Sequence, residues 1–532
     1  MKTRVETPLL GWQVEAEITA RLEAMQAQID EQSELISKQA ALIKWYEGQL
    51  LLLRRRQFGV SSEQSPPGFQ QLSIFGETII APPPPEFKEV TVKRKKRIGK
   101  REEDLSKLPV VRVEHELPED ERNCPKCDAP MRDIGVNVRR EIEIIPAQAI
   151  VKEHAIHSYA CPDSKCEETQ EKKIILTAES PKALISGSLA SPSLVAHIAS
   201  QKYSMGLPLY RIEKGFQYEG VNISRQNMSS WVIKCYQMYL TSICSLLKSF
   251  LLAESTLHAD ETTVQVLREH DRPAQAKSYE WVYRTGVCAK YKITIYEYTQ
   301  TRHQKYPQAF LKDFQGYLHT DGYQAYHNLN DDIVIVGCWF HARQYWEKLL
   351  KTIPKEKREG TDAEKGMQYI NAIFKLEQNF ANLSADERFE KRLEQSKPIA
   401  DAFFAWVDSL AALPKSLLGE AVTYAKKQRV FLNNVFLDGR LEFSNNRCER
   451  SVKPFVQGRK AWLFSNTPDG AEASSAMFSI IETAKDNGLN PFQYVKFLLE
   501  TLPNLSTNDN LEAFLPWSDK LPQCCRIPAK QT

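Results

Sequence analysis

The stretch Leu257-His258-Ala259-Asp260-Glu261-Thr262-Thr263-Val264-Gln265-Val266 decides how this chain is read. Its alternation and its β-branched residues predict a strand, in which Asp260 and Glu261 point to opposite faces. A carboxylate in mid-strand is costly to bury unless positive charge meets it, so Asp260 asks for a partner. Two later segments carry acids in similar settings. In Gly316-Tyr317-Leu318-His319-Thr320-Asp321-Gly322-Tyr323 an aspartate ends a short apolar run, where a strand would turn. In Ser444-Asn445-Asn446-Arg447-Cys448-Glu449-Arg450 a glutamate lies about one turn into a helix that Ser444 would cap. Three carboxylates converging on one point raise each other's pKa, and divalent cations relieve that. A pair of Mg²⁺ ions held by carboxylates, with Mn²⁺ as an alternative, drives in-line attack on a phosphodiester. Asp260, Asp321 and Glu449 are therefore the candidate catalytic and Mg-ligating residues.

Outward from this stretch, strands are expected at 256–267, 279–284 and 290–298. A helix over 304–314 leads to the Asp321 strand, and 333–338 makes a fifth. Three hairpin-like strands followed by alternating helix and strand form an RNase H-like order, a mixed sheet flanked by helices. It makes the Asp260 and Asp321 strands neighbours. Cys338-Trp339-Phe340-His341 opens a helix through Leu350, with Cys338 assigned to the core and His341 to the cleft, in reach of DNA or the metal shell. The helical text of 351–436 is too long for a loop and reads as an insertion. It explains why Asp260 and Asp321 are 61 positions apart while Glu449 lies 128 further on. Arg447, Arg450, Lys453, Arg459 and Lys460 place five cations in fourteen residues beside that glutamate, which suits a phosphate backbone. Pro454 is expected to end or kink the helix, and Cys448 to pack. Glu442 and Glu472 are the nearest alternative third ligands. Small residues in 471–485 predict a helix packed closely on the sheet, and 491–502 adds another.

Composition bounds the rest. At 532 residues, with 42% hydrophobic and 26% charged residues, the chain holds several globular units. Residues 1–12 lack a signal-like apolar core and no apolar run reaches membrane-spanning length, so a cytoplasmic protein away from membranes is expected. Eleven cysteines, an odd number, then read as thiols or metal ligands. A net charge of +3 leaves nucleic-acid affinity to local clusters. From 18 to 53 a heptad repeat places Leu22, Ile29, Ile36, Ile43 and Leu50 at one core position, which predicts a coiled coil and at least a dimer. The Pro-rich segment that follows carries eight Lys and Arg between 88 and 101 against Glu89, a candidate phosphate clamp. Cys124-Pro125-Lys126-Cys127, then 33 residues, then Cys161-Pro162-Asp163-Ser164-Lys165-Cys166 form two knuckles held apart by strands at 141–145 and 149–158. Cys124, Cys127, Cys161 and Cys166 supply the four thiolates of a closed, structural Zn²⁺ site. Between 192 and 247 two helices, a Gly220 turn and a third helix capped by Ser224 have the shape of a helix-turn-helix. Arg225, Gln226 and Asn227 stand at its exposed start, where Gln and Asn can read adenine edges.

The wording ADETTVQVL, HTDGYQAY, CWFHARQYWEKL, NNRCERSVKPFVQGRKAWLFS and SIIETAKDNGLNPFQYVKFLLETLP, in that order, resembles the IS66 family of bacterial insertion-sequence transposases. LLLRRRQFGVSSEQ and the two cysteine pairs are similar as well. The resemblance implies a DDE catalytic domain, with Cys338 and His341 matching a Cys-x2-His signature, and small accessory proteins encoded beside the transposase. The expected fold class is multidomain α+β. An RNase H-like mixed α/β core with an all-helical insertion is preceded by a coiled coil, a zinc-ribbon-like module and a helix-turn-helix-like domain. The expected organisation is coiled coil 1–58, linker 59–108, zinc module 109–180 and helical DNA-binding domain 185–253. The catalytic domain follows over 254–350 and 437–486, split by the insertion 351–436, with a C-terminal helical piece over 487–532. The activity expected is Mg-dependent cleavage and joining of DNA at element ends by an oligomer. A nuclease that cuts without joining and a catalytically dead DNA-binding regulator are the rivals. The accessory modules argue against the first and the presence of all three acids against the second.

Overall fold

The computed structural model describes residues 181–506 and 509–528 without a break, together with 148–160, 175–179 and positions 25, 26, 32, 112, 126, 129 and 138. Most of the 18–53 repeat, the basic run and Cys124, Cys127, Cys161 and Cys166 lie outside the described residues. The chain divides into two units, 1–60 with 154–527 and 61–153 with 528–532. In the second, residues 148–153 are exposed and take no regular element. All that follows concerns the first. A short strand β1 (Ser158–Ala160) pairs antiparallel with β2 (Ile175–Thr177). The strand expected over 149–158 is thus reached only at its last residue, because the ladder forms only where 175–177 lies alongside.

Among residues 181–253, four helices precede the main sheet: α1 (Pro192–Ala199), α2 (Leu209–Tyr218), α3 (Arg225–Cys235) and α4 (Thr241–Leu252). Gly220, at φ +78°, makes the turn between α2 and α3. Ser224 caps α3 by accepting the Asn227 N–H at 3.2 Å. Met228, Trp231, Val232 and Cys235 recur at helical spacing and are buried. A π-helical turn, Tyr236–Leu240, joins α3 to α4, so the third helix runs on as one rod.

The main sheet has the order β5-β4-β3-β6-β7. Strands β3 (Thr256–Gln265), β4 (Lys277–Thr285) and β5 (Thr294–Thr299) form an antiparallel meander. Helix α5 (Lys305–Phe310) then crosses to β6 (Gly316–Thr320), which lies parallel to β3, and β7 (Ile333–Gly337) lies parallel to β6. The third strand starts four residues later than expected because 286–292 form the turn. Helix α5 stops before 314 because its chain turns at Leu311.

Five helices follow: α6 (Trp339–Leu350), α7 (Asp362–Asn379), α8 (Ala385–Lys391), α9 (Lys397–Ser409) and α10 (Leu417–Asn433). They bury their own core around Trp339, Trp346, Ile370, Phe403, Phe404 and Leu432. The chain returns to the sheet as α11 (Asn446–Trp462), α12 (Pro468–Asp486) and α13 (Pro491–Thr501). The small residues of α12 let it lie against β5. Ser479 Oγ accepts the Tyr296 N–H at 2.9 Å, and Thr483 Oγ1 accepts from Thr294 N at 3.1 Å and donates to Thr294 O at 3.0 Å. The edge strand is thereby covered by hydroxyls.

In α11, Pro454 does not end the helix and Ser444 does not cap it. Pro454 sits inside the helix, which continues to Trp462. A helix-interior proline costs about 3 kcal/mol, and burying Val452 and Phe455 on either side of it contributes roughly 1.5–3 kcal/mol each. Packing wins. The N-cap is Asn445, not Ser444, and its side chain makes no cap bond because it is used elsewhere. Among the described residues no helix is long and apolar enough to cross a membrane.

Candidate active site

Strand register brings the first two acids together. Parallel pairing of β3 and β6 matches Leu257 with Leu318 and His258 with His319. Asp260 and Asp321 lie two residues beyond that last pair, on the same face of each strand as the histidines. The two imidazoles stack at 4.3 Å, 12° from parallel. Asp321 follows the end of β6, where Gly322 at φ +94° turns the chain. The Asp321 carboxylate accepts the Tyr323 N–H at 2.9 Å, and Tyr424 of α10 donates to the Asp321 carbonyl at 3.2 Å. The aspartate is thus held from the helical side as well.

Asn445 ties the third acid to this pair. It is fully buried. Its Nδ2 donates to the Ala259 carbonyl at 2.9 Å, so its Oδ1 faces His258 Nδ1 at 3.0 Å as acceptor. Its backbone N–H donates to Cys338 Sγ at 3.2 Å, and its carbonyl accepts the N–H of Cys448 and of Glu449. One residue therefore joins the Asp260 strand, the start of α6 and the first turn of α11. Arg284 of β4 adds a second tie, donating to Ser451 Oγ at 2.6 Å and the Arg447 carbonyl at 3.3 Å.

Electrostatic coupling links the three acids, although their oxygens do not all lie within 4.8 Å of one another. Burial, then the carboxylates of Glu261, Asp321 and Glu449, raise Asp260 well above the ordinary range, against a 2.8 Å bond from the Glu261 N–H. Glu449 is also raised, by burial and Asp321, although His341, Lys453 and Arg450 oppose the shift. Among the described residues no Lys or Arg forms an ion pair with Asp260 or Asp321. Glu449 Oε1 is buried without a hydrogen-bond partner. Asp260 and Asp321, without a Lys or Arg counterion, suit hard divalent cations such as Mg²⁺. The donor set fits the ion.

Of the other candidate acids, Glu472 is exposed on α12, and Glu261 and Glu442 are engaged by other groups. Glu261 lies on the opposite face, 2% exposed, bound by Arg302 and by Tyr326 OH at 2.7 Å. Glu442 is taken by His258 Nε2 at 2.9 Å and Arg447 Nε at 2.9 Å. Burial would raise its carboxyl, but those bonds and charges hold it well below the usual range.

The cations expected around Glu449 divide. Arg450 and Lys453 act on the glutamate electrostatically. Arg447 is committed to Glu442. Arg459 turns to β3, donating to the Thr263 carbonyl and to Thr262 Oγ1 at 3.2 Å. It lies ten residues along the helix from Glu449, about 15 Å. Lys460 is exposed. His341 Nε2 lies 3.9 Å from Glu449 Oε1. Burial lowers the His341 pKa, but the Cys338 sulfur, Glu449 and Asp321 outweigh it and bring it to about 10. Cys338 and Cys448 are buried. Arg225, Gln226 and Asn227 are exposed at the start of α3. Asn445, His258 and His319 were not singled out from the sequence, yet a signal was present. Leu257-His258-Ala259-Asp260 and Leu318-His319-Thr320-Asp321 are the same Leu-His-x-Asp phrase, as two parallel strands in register would carry it.

Comparison with known proteins places the chain in a family. The family model described as "Transposase IS66 family" matches residues 187–473, over half of the chain. Further models match at 121–167 (zinc-finger binding domain of transposase IS66, spanning all four paired cysteines), at 479–517 (IS66 C-terminal element) and at 45–113 (Transposase C of IS166 homeodomain). Among curated relatives, the uncharacterized protein y4qI of Sinorhizobium fredii is 29% identical over 65% of this chain and 66% of its own length. Two more from the same organism, y4jD and y4hP, are each 26% identical, over 76% and 73% of this chain and 79% and 71% of their own lengths. No solved structure matches the chain.

Proposed function

The chain belongs to the IS66 family of transposases, and from that membership and the acid cluster we propose that it cuts and joins DNA at the ends of its element. The strand order β5-β4-β3-β6-β7, with the first three antiparallel and the last two parallel to β3, supports reading the core as RNase H-like. The observation that carries the reading is the register that sets Asp260 beside Asp321, two residues beyond the His258–His319 pair, while burial and Asp321 raise both Asp260 and Glu449. Asp260, Asp321 and Glu449 would hold Mg²⁺, which supplies charge stabilisation and an activated oxygen nucleophile. The residues' own work is positional. Asn445 fixes the Glu449 helix against the Asp260 strand, and Tyr424 holds the Asp321 turn. Arg450, Lys453 and Lys460 offer charge to the phosphate backbone, and His341 stands at the cleft beside Glu449. Arg447 and Arg459 act on DNA only through the surfaces they leave exposed. Arg225, Gln226 and Asn227 are proposed to contact the element ends.

Around this core, the four paired cysteines are assigned a structural Zn²⁺, and the 18–53 repeat a coiled coil joining at least two chains. The domain boundaries given above and the accessory proteins belong to the same proposal. Its test is incubation of the purified protein with labelled candidate ends and Mg²⁺. Cleaved and joined products are expected. Cleavage without joining would leave a nuclease.

A further inference from the structure

We propose that Cys338, His341 and Glu449 form a separate site for a soft divalent cation, Zn²⁺ above all, which draws Glu449 away from the other acids. Among the described residues these three offer ligand atoms mutually within 4.8 Å. Asp260 and Asp321 do not join that set. A point within about 2.8 Å of all three atoms therefore exists, and side-chain shifts of roughly 0.5–0.8 Å give zinc's bond lengths of about 2.0–2.3 Å. Two polar atoms here are buried and unpartnered, His341 Nδ1 and Glu449 Oε1. Cys338 and His341 stand one turn apart at the start of α6 and so share a face. Cys338 Sγ already accepts the Asn445 N–H, as ligating sulfurs do. Binding would release both the thiol proton and the extra proton of the His341 imidazolium to solvent and leave a fourth position for water.

The chemistry separates this site from the acid cluster. Sulfur and imidazole select zinc, while carboxylates and water select magnesium. Glu449 belongs to both sets. Resting on the proposed transposase reading, zinc bound here would compete with Mg²⁺ for the third acid and inhibit.

The count comes first. Full-length protein is equilibrated with Zn²⁺, desalted, and its zinc per chain measured for wild type, Cys338→Ser and His341→Ala. Each variant should carry one zinc fewer than the wild type, and Co²⁺-loaded wild type should show thiolate charge-transfer absorption that Cys338→Ser reduces. Equal zinc contents in folded proteins overturn the site. His341→Ala, whose side chain is 26% exposed, decides if Cys338→Ser does not fold. In Mg-dependent end cleavage, Cys338→Ser should raise the half-inhibiting zinc concentration at least roughly tenfold, each protein normalised to its own zinc-free rate. An unchanged value overturns the competition. Because the count needs no DNA, absence of cleavage in every protein would refute the transposase reading while the count still decides the site.

Discussion

Asn445→Ala removes a fully buried side chain that binds the strand of one acid while its backbone starts the helix of another. Truncation leaves the Ala259 carbonyl and His258 Nδ1 without their bonds of 2.9 and 3.0 Å. Each buried, unsatisfied group costs about 1–3 kcal/mol, so a loss of about 3–5 kcal/mol is expected. The neighbouring Asn446→Ala is the control. Its Oδ1 is buried without a partner, so its removal should cost under about 1 kcal/mol. Urea unfolding followed by tryptophan fluorescence measures both, since Trp281 in β4 and Trp339 in α6 are fully buried near the two ties. A loss below about 1 kcal/mol for Asn445→Ala, or equal losses for the two variants, would refute the claim that Asn445 holds strand and helix together.

Three further outcomes are expected. Glu442 is held below its ordinary value of 4.5, so its contribution to stability is complete above that value and is lost as pH falls below it. Glu442→Gln should flatten the decline of the unfolding midpoint from about pH 5 downward, and an unchanged slope would show that His258 and Arg447 do not act through this carboxylate. Cys124→Ser with Cys161→Ser should lower zinc per chain by one in reduced protein; retention of all zinc would remove the four-cysteine assignment. Replacing Ile29 and Ile36 by Asp puts unpaired charge into a coiled-coil seam at several kcal/mol and should reduce the mass seen by light scattering, unless assembly lies elsewhere.

What the sequence displayed and what it concealed differ in physical kind. Alternation and β-branched residues marked β3, while β4 and β7 are buried over nearly their whole length and do not alternate. The acids stood out because a carboxylate beside β-branched residues is costly. The order of strands followed from hairpin-like spacing and crossovers. Asn445 was hidden because its importance lies in contacts with Ala259, His258 and Cys338, all more than 100 positions away. The same distance effect explains Arg459, whereas Arg447 meets Glu442 only five residues away. Charge density near Glu449 was legible, but Glu442 and the β3 backbone claim those two guanidiniums. Pro454 misled because its local cost is outweighed by packing that only the folded chain supplies.

The most direct measurement compares Asp260→Asn, Asp321→Asn and Glu449→Gln with wild type in cleavage and joining of labelled ends in Mg²⁺. Each substitution keeps size and hydrogen bonding while removing one negative charge from the cluster. Burial and like charge already raise Asp260 and Glu449, so the metal-free variants at these positions should fold at least as well as wild type. The account predicts loss of both reactions in all three, with end binding in the absence of divalent metal unchanged or slightly tighter. Retention of cleavage in any one of the three folded variants would contradict it.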